Sequence, residues 1–392
     1  MSDDAVSLIQ ERLRSIAAAY GYPQARISLF PTLLIVALRD GEPAMVQPID
    51  SVRQLRLDQA SEVIDIARRA ERAELAPGEA QARLRQILRS RPRFGTTAYI
   101  ASHGVLTVGL GLVIRPAAVD LWVYAALGIL VGAMKAWARW RGATGYLLAV
   151  VAAAVVSAIA FLSHGGDDAA SLRLTIPPLV TFLPGALLTM ATVDLAMGET
   201  ITGASRFVAG LLQMALLAIG IIVGAELVGD PTSGPVAGRS TDTLGSWAPW
   251  VGVAIFGLGV FVHNCAPKGS LGWLLVVLFA AWTGQLAGER ILDPTLSGFI
   301  GAAVMVPIAH LVARAKRAPP AHVMFLPAFW LLVPGAIGLI GITEIVGENA
   351  DAGSENFLSA LVSIPSIALG ILVGTMIVRA SGALRLRSGP RG

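Results

Sequence analysis

The chain divides by its hydrophobic pattern. From Thr97 onward, long apolar segments alternate with short polar gaps, at 97–114, 120–137, 144–162, 172–197, 203–229, 248–265, 270–288, 293–313, 322–346 and 355–379. A helix needs about 20 apolar residues to cross a hydrocarbon core of about 30 Å, so each segment reads as a span. The expected fold is an α-helical polytopic membrane protein with about ten transmembrane helices. Residues 1–95 hold no such run and read as a small soluble α+β domain. Val6, Ile9, Leu13 and Ile16 recur at helical spacing within Ala5–Tyr20, until Gly21-Tyr-Pro23 stops the helix. Arg26–Phe30 and Thr32–Leu38 are short β-like runs, broken at Pro31 and at Asp40-Gly41. Leu57–Ala73 and Pro77–Leu88 alternate apolar and charged positions as surface helices do, and Pro77 suits a first helical turn.

Part of the pattern occurs twice. Residues 177–224 reappear without a gap at 327–374, 150 positions later. Pro177 falls on Pro327, Pro184-Gly185 on Pro334-Gly335, Asp194 on Glu344, Gly203 on Gly353 and Phe207 on Phe357. The closing Gly220-Ile-Ile-Val-Gly224 falls on Gly370-Ile-Leu-Val-Gly374, and Gly109-Leu-Gly111 matches Gly257-Leu-Gly259 at a spacing of 148. An odd number of spans per unit makes the second copy enter the membrane upside down. The expectation is an inverted 5+5 repeat, 96–230 against 245–380, about an in-plane pseudo-two-fold axis, followed by a basic tail at 381–392.

Composition fits a membrane chain: 55% of residues are apolar and 14% charged, with a mean hydropathy of +0.68. The distribution of charge then orients it. With residues 1–95 inside, the inside loops hold Lys135, Arg139, Arg141, Arg206, Lys268, Arg314, Lys316 and Arg317. The tail adds Arg379, Arg385, Arg387 and Arg391. The outside loops hold scattered bases and the acids Asp167-Asp168, Glu348, Asp351 and Glu355. The positive-inside rule therefore predicts cytoplasmic termini. Trp122, Trp137, Trp140, Trp247 and Trp250 lie near span ends, where aromatic belts form. The start, Met1-Ser-Asp-Asp, lacks the basic, then apolar, order of a signal peptide, and none is expected. A lone Cys265 gives neither an intrachain disulfide nor a thiolate metal site. The net charge of +4 reflects topology rather than nucleic-acid binding.

The repeated Pro-Gly pairs carry the candidate chemistry. Proline lacks an N–H and clashes with the carbonyl four residues back, here Val180 and Trp330. Freed backbone groups at membrane depth are tolerated only against protein or a water-filled cavity. Each break also starts a half-helix whose N–H groups suit a carboxylate, so Pro184, Gly185, Thr189, Pro334 and Gly335 are the candidate substrate-binding residues. The alternative is a kinked helix that only packs. Asp194 and Glu344 lie ten residues past the breaks, about 15 Å along a helix, near opposite mouths. They are candidates for gating or proton coupling, with Arg206 placed to pair with Asp194 across the Gly198–Gly203 turn. Either acid alone also reads as a solvated helix end. His263 and His310 read as interfacial, and the hydroxyls of Thr189, Thr192 and Thr343 face either a substrate or their own helix backbone. No metalloprotease, nucleophile-elbow or Walker motif is present, nor a paired metal-ligand motif, so neither an enzyme nor an ATP-driven pump is expected.

Four stretches carry a family resemblance over nearly the whole chain. They are Gly21-Tyr-Pro-Gln-Ala-Arg-Ile-Ser-Leu-Phe-Pro-Thr-Leu-Leu-Ile-Val-Ala-Leu38, the segments Arg56-Leu-Asp-Gln59 and Leu75-Ala-Pro-Gly-Glu-Ala-Gln-Ala-Arg-Leu84, and Leu183-Pro-Gly-Ala with Asp194 and Gly203. The chain resembles the threonine/serine exporter family, including its two-subunit relatives associated with succinate export. That resemblance implies export driven by the proton motive force across a bacterial cytoplasmic membrane, with no cofactor. The expected partners are a small amino acid or dicarboxylate, protons and the bilayer; a homo-oligomer stays open. A drug/metabolite-type exporter of about ten spans and a membrane-anchored sensor are the rival readings.

Overall fold

The computed structural model describes residues 5–49, 55–114, 120–141, 145–164, 168–228, 244–315, 318–332 and 350–387. The N-terminal elements are helix α1 (Val6–Ala19), strands β1 (Arg26–Leu29), β2 (Leu33–Ala37) and β3 (Met45–Pro48), and helices α2 (Leu57–Glu71) and α3 (Pro77–Arg89). The strands form an antiparallel sheet in the order β1-β2-β3, with Ile27 opposite Val36 and Ile35 opposite Val46. Strand β3 is an addition to the expected elements. It is an exposed edge whose Met45 and Val46 point to solvent, so no buried alternation announces it. Ile66, Leu75 and Ile87 close a small core between α2 and α3. Gln59 ties that pair together: its Oε1 accepts the Arg56 N–H at 3.2 Å, and its Nε2 donates to the Ile87 carbonyl at 2.8 Å.

The apolar part runs through α4 (Thr96–Val113), α5 (Asp120–Arg141), α6 (Tyr146–His164) and α7 (Asp168–Leu179). A 3-10 turn, Val180–Phe182, leads into α8 (Gly185–Ala196) and α9 (Thr200–Val228). Then come α10 (Ala248–His263), α11 (Leu271–Ile291), a 3-10 turn at Pro294–Leu296, α12 (Ser297–Val312), α13 (Ala321–Leu332) and α14 (Ala350–Arg387). Among the described residues, seven helices are long and apolar enough to cross a membrane, and the bent α7–α8 pair makes an eighth. Two other expected segments appear as shorter helices: α10 has 16 residues, and the ninth segment is described only as far as Leu332.

Glycines decide which helices touch. On α4, a Cβ at Gly109 would strike the backbone of Phe256, and on α10 one at Gly252 would lie 2.7 Å from the Gly109 carbonyl. Gly220 and Gly224 of α9 press on the Val150 and Ala154 carbonyls of α6. Gly370 and Gly374 of α14 press on the Phe299 and Ala303 carbonyls of α12. The opposite face of α9 is an exposed stripe of Ile201, Val208, Leu212, Ile219, Val223 and Leu227, a surface that lipid solvates and water does not. The five tryptophans expected in interfacial belts are all exposed.

The N-terminal elements meet these helices at two helix starts. The Val6 N–H, at the head of α1, donates to Asp194 Oδ1 at 2.8 Å. The Leu57 and Asp58 N–H groups, at the head of α2, donate to the Asn264 and Cys265 carbonyls at 3.0 and 3.1 Å. Each head places free N–H groups against an acceptor that also answers its positive dipole end.

Candidate functional site

Proline 184 breaks its span as the sequence predicts. The segments Leu174–Phe182 and Gly185–Ala196 meet at 55°. The carbonyls that the break releases find new partners. Val180 accepts the Leu183 N–H at 3.2 Å, and Phe182 accepts Gln213 Nε2 of α9 at 2.5 Å. Pro184 caps α8 without a side-chain bond, so the first N–H groups of α8 lack intrahelical acceptors and point into the break. Pro184 and Gly185 are buried. The Thr189 hydroxyl donates to the Gly185 carbonyl at 2.8 Å and that of Thr192 to Leu188 at 3.0 Å, so both serve their own helix. Pro334, Gly335, Thr343 and Glu344 lie outside the described residues.

The 3-10 turn before the break brings Thr181 to a polar cluster. Lys135 Nζ of α5 donates to Thr181 Oγ1 at 2.8 Å, and His103 Nε2 of α4 lies 3.2 Å from the same oxygen. His103 Nδ1 is 3.0 Å from the Gly128 carbonyl. A carbonyl only accepts, so Nδ1 carries the proton and Nε2 is the acceptor of a neutral ring. The bonds then run one way, from the Lys135 ammonium to the Thr181 hydroxyl, from that hydroxyl to His103, and from His103 to Gly128. Close packing of α4 on α5 makes this possible, since a Cβ at Gly132 would lie 2.9 Å from both the His103 Cβ and the Ile100 carbonyl. The ammonium also sits 5.2 Å above the Phe182 ring.

A second layer continues toward the N-terminal elements. The His263 ring of α10 is edge-on to His103 at 5.0 Å and stacked on Tyr99 at 4.2 Å, while the Arg139 guanidinium covers the Tyr99 ring at 4.5 Å. Tyr99, Arg139 and His263 line a cavity of about 400 Å³ whose other walls include Arg56, Phe94 and Asn264. Arg56 is held by Asp58 at 3.0 Å. Among the described residues no carboxylate pairs with Lys135 or Arg139.

Asp194 forms a separate site at the far end of α8. Its side chain is fully buried, with Oδ2 at 2.6 Å from Arg206 Nη1 of α9 and Oδ1 on the Val6 N–H. The expected pair across the turn is present, and the turn is made by Gly198, whose φ of +85° is open to glycine without strain. Asp194 is therefore buried in an ion pair and in a helix cap, in place of the solvated helix end that was its other reading.

A family model of the threonine/serine exporters, ThrE, matches residues 1–228, and a second, Threonine/Serine exporter, ThrE, matches residues 251–377. The chain belongs to the threonine/serine exporter family. No curated protein and no solved structure matched it. Membership and the apolar helices make it a multi-pass membrane protein of amino-acid export.

For this exporter the sequence reading passed over the cluster beside the break. Lys135 was grouped with inside-loop bases; it lies within α5 and reaches Thr181, 46 residues away. His263, which reads as interfacial, is buried, stacked on Tyr99 and edge-on to His103. A signal existed: His103 and Lys135 are ionisable residues inside apolar spans, which are costly unless a polar route or partner requires them.

Proposed function

We propose that the protein exports threonine and serine from the cytoplasm across a bacterial inner membrane, driven by the proton motive force. The break at Pro184-Gly185 carries the reading, because a bent span with uncapped helix-start N–H groups beside polar side chains suits a substrate carboxylate better than a packing kink does. On this reading residues 96–230 and 245–380 are inverted halves, residues 1–95 form a cytoplasmic domain, and both termini are cytoplasmic. Pro184-Gly185 and Pro334-Gly335 frame one central site. Alternating access comes from one half rocking against the other. Asp194 with Arg206 latches one mouth, and Glu344 stands at the other.

The test is efflux of preloaded radiolabelled threonine, serine and succinate from cells with and without the protein, with and without an uncoupler. Uncoupler-sensitive loss of threonine or serine is expected. Succinate efflux alone moves the protein to the dicarboxylate branch, and no efflux of any of the three overturns the reading. Replacing Pro184-Gly185 by Ala-Leu should abolish efflux while the protein stays in the membrane; unimpaired efflux removes the site. Asp194→Asn should weaken the response to the uncoupler, and an unchanged response removes its coupling role.

A further inference from the structure

The cation of Lys135 asks for an anion that the described protein does not supply. Its ammonium is half-buried at the bent span, gives one N–H to Thr181 Oγ1, and faces no carboxylate among the described residues. An ammonium at membrane depth is costly unless paired or hydrated, and such residues mark ion and substrate paths. Arg139, one turn further along α5, stands in the cavity wall over Tyr99. The cation and the helix-start N–H groups lie at the same break, and both donate. Thr181 is already the donor to His103, so its oxygen is held in place rather than free to turn away.

We propose that Lys135, positioned by Thr181 and His103, holds the carboxylate of the exported amino acid at the Pro184-Gly185 break, and that the cavity lined by Tyr99, Arg139 and His263 is the antechamber through which that carboxylate arrives. The inference rests on the export reading above and names the residue that reads the substrate's charge. His103 is a positioning residue: its Nδ1–H is committed to the Gly128 carbonyl and its Nε2 to the Thr181 hydroxyl. Serine and threonine share the carboxylate, so the subsite accepts both and leaves side-chain selection to other contacts.

The experiment compares transport of threonine and of threoninamide, which lacks the carboxylate charge, by the full chain in proteoliposomes. The wild type should favour threonine by about tenfold or more, the effect of one charge-assisted hydrogen bond. Lys135→Met should slow threonine about tenfold and leave threoninamide unchanged, so that the preference collapses. Lys135→Arg should keep the preference. An equal loss for both substrates makes Lys135 structural and overturns the proposal, as does a preference that survives Lys135→Met. If Lys135→Met fails to reconstitute, Thr181→Val is read in its place and should lower the preference with the cation still present. A wild type that carries neither compound defeats the export reading itself, a result separable from the failures above.

Discussion

Gly220 and Gly224 seat α9 on Val150 and Ala154 of α6, and Gly370 and Gly374, 150 positions later, seat α14 on Phe299 and Ala303 of α12. The two seams use the same residue type at the same spacing against neighbours one position out of step. The polar cluster has no such twin. A spacing of 150 leads from Lys135 to Gln285 and from Thr181 to Leu331, and the spacing of 148 leads from His103 to Val251. Close helix packing needs small residues wherever two backbones meet, in either copy. Recognition of one ligand needs its groups once. The duplicated glycine seams hold helices together, whereas the polar cluster occurs once.

Seven substitutions press on that contrast. Gly224→Leu and Gly374→Leu should cost the most, about 3 kcal/mol each, because a side chain at Gly224 meets the Ala154 carbonyl and one at Gly374 meets the Val306 Cβ and then the Ala303 carbonyl, packed atoms with little room to move. Thermal unfolding in detergent should fall by similar amounts for the two, and a large difference between them would mean that the seams are not equivalent. Lys135→Met should lower threonine transport about tenfold, whereas Gln285→Met at the matched position should stay within about twofold. Equal effects would erase the asymmetry. Asp194→Ala removes the acceptor for the Val6 N–H and should loosen α1 by about 1 kcal/mol, seen as faster amide exchange over Val6–Ala19; Asp194→Asn keeps an acceptor and should loosen it less. Thr189→Val should change efflux least, since that hydroxyl is spent on the Gly185 carbonyl, and a clear defect there would return Thr189 to the substrate site.

Local signals were legible. The helices of 1–95, the strands β1 and β2, the apolar segments, the Pro184 break and the Asp194–Arg206 pair all follow from periodicity, proline chemistry and short sequence separation. Strand β3 was not legible, because an exposed edge has no buried face to impose alternation. The cluster was obscured for another reason. A lysine near a span end carries the same mark whether it anchors topology or faces a ligand, and only packing of α4 and α5 against the bent span tells the two apart. His263 needed Tyr99, 164 residues away, to show that it is buried.

The two helix starts that carry the N-terminal elements rest on different helices of the apolar part. Asp194 stands on α8, inside the repeated stretch 177–224, whereas Asn264 and Cys265 follow α10, outside both repeated stretches. Helices α1 and α2 thus form a brace with one foot on α8 and the other at the end of α10, and a displacement of α8 against α10 would strain a foot. One foot is a single hydrogen bond and the other is two, about 1 kcal/mol apiece, so the loss of one bond shifts an equilibrium by only about fivefold. A brace of that strength tethers the N-terminal elements to both helices yet opens readily under thermal motion.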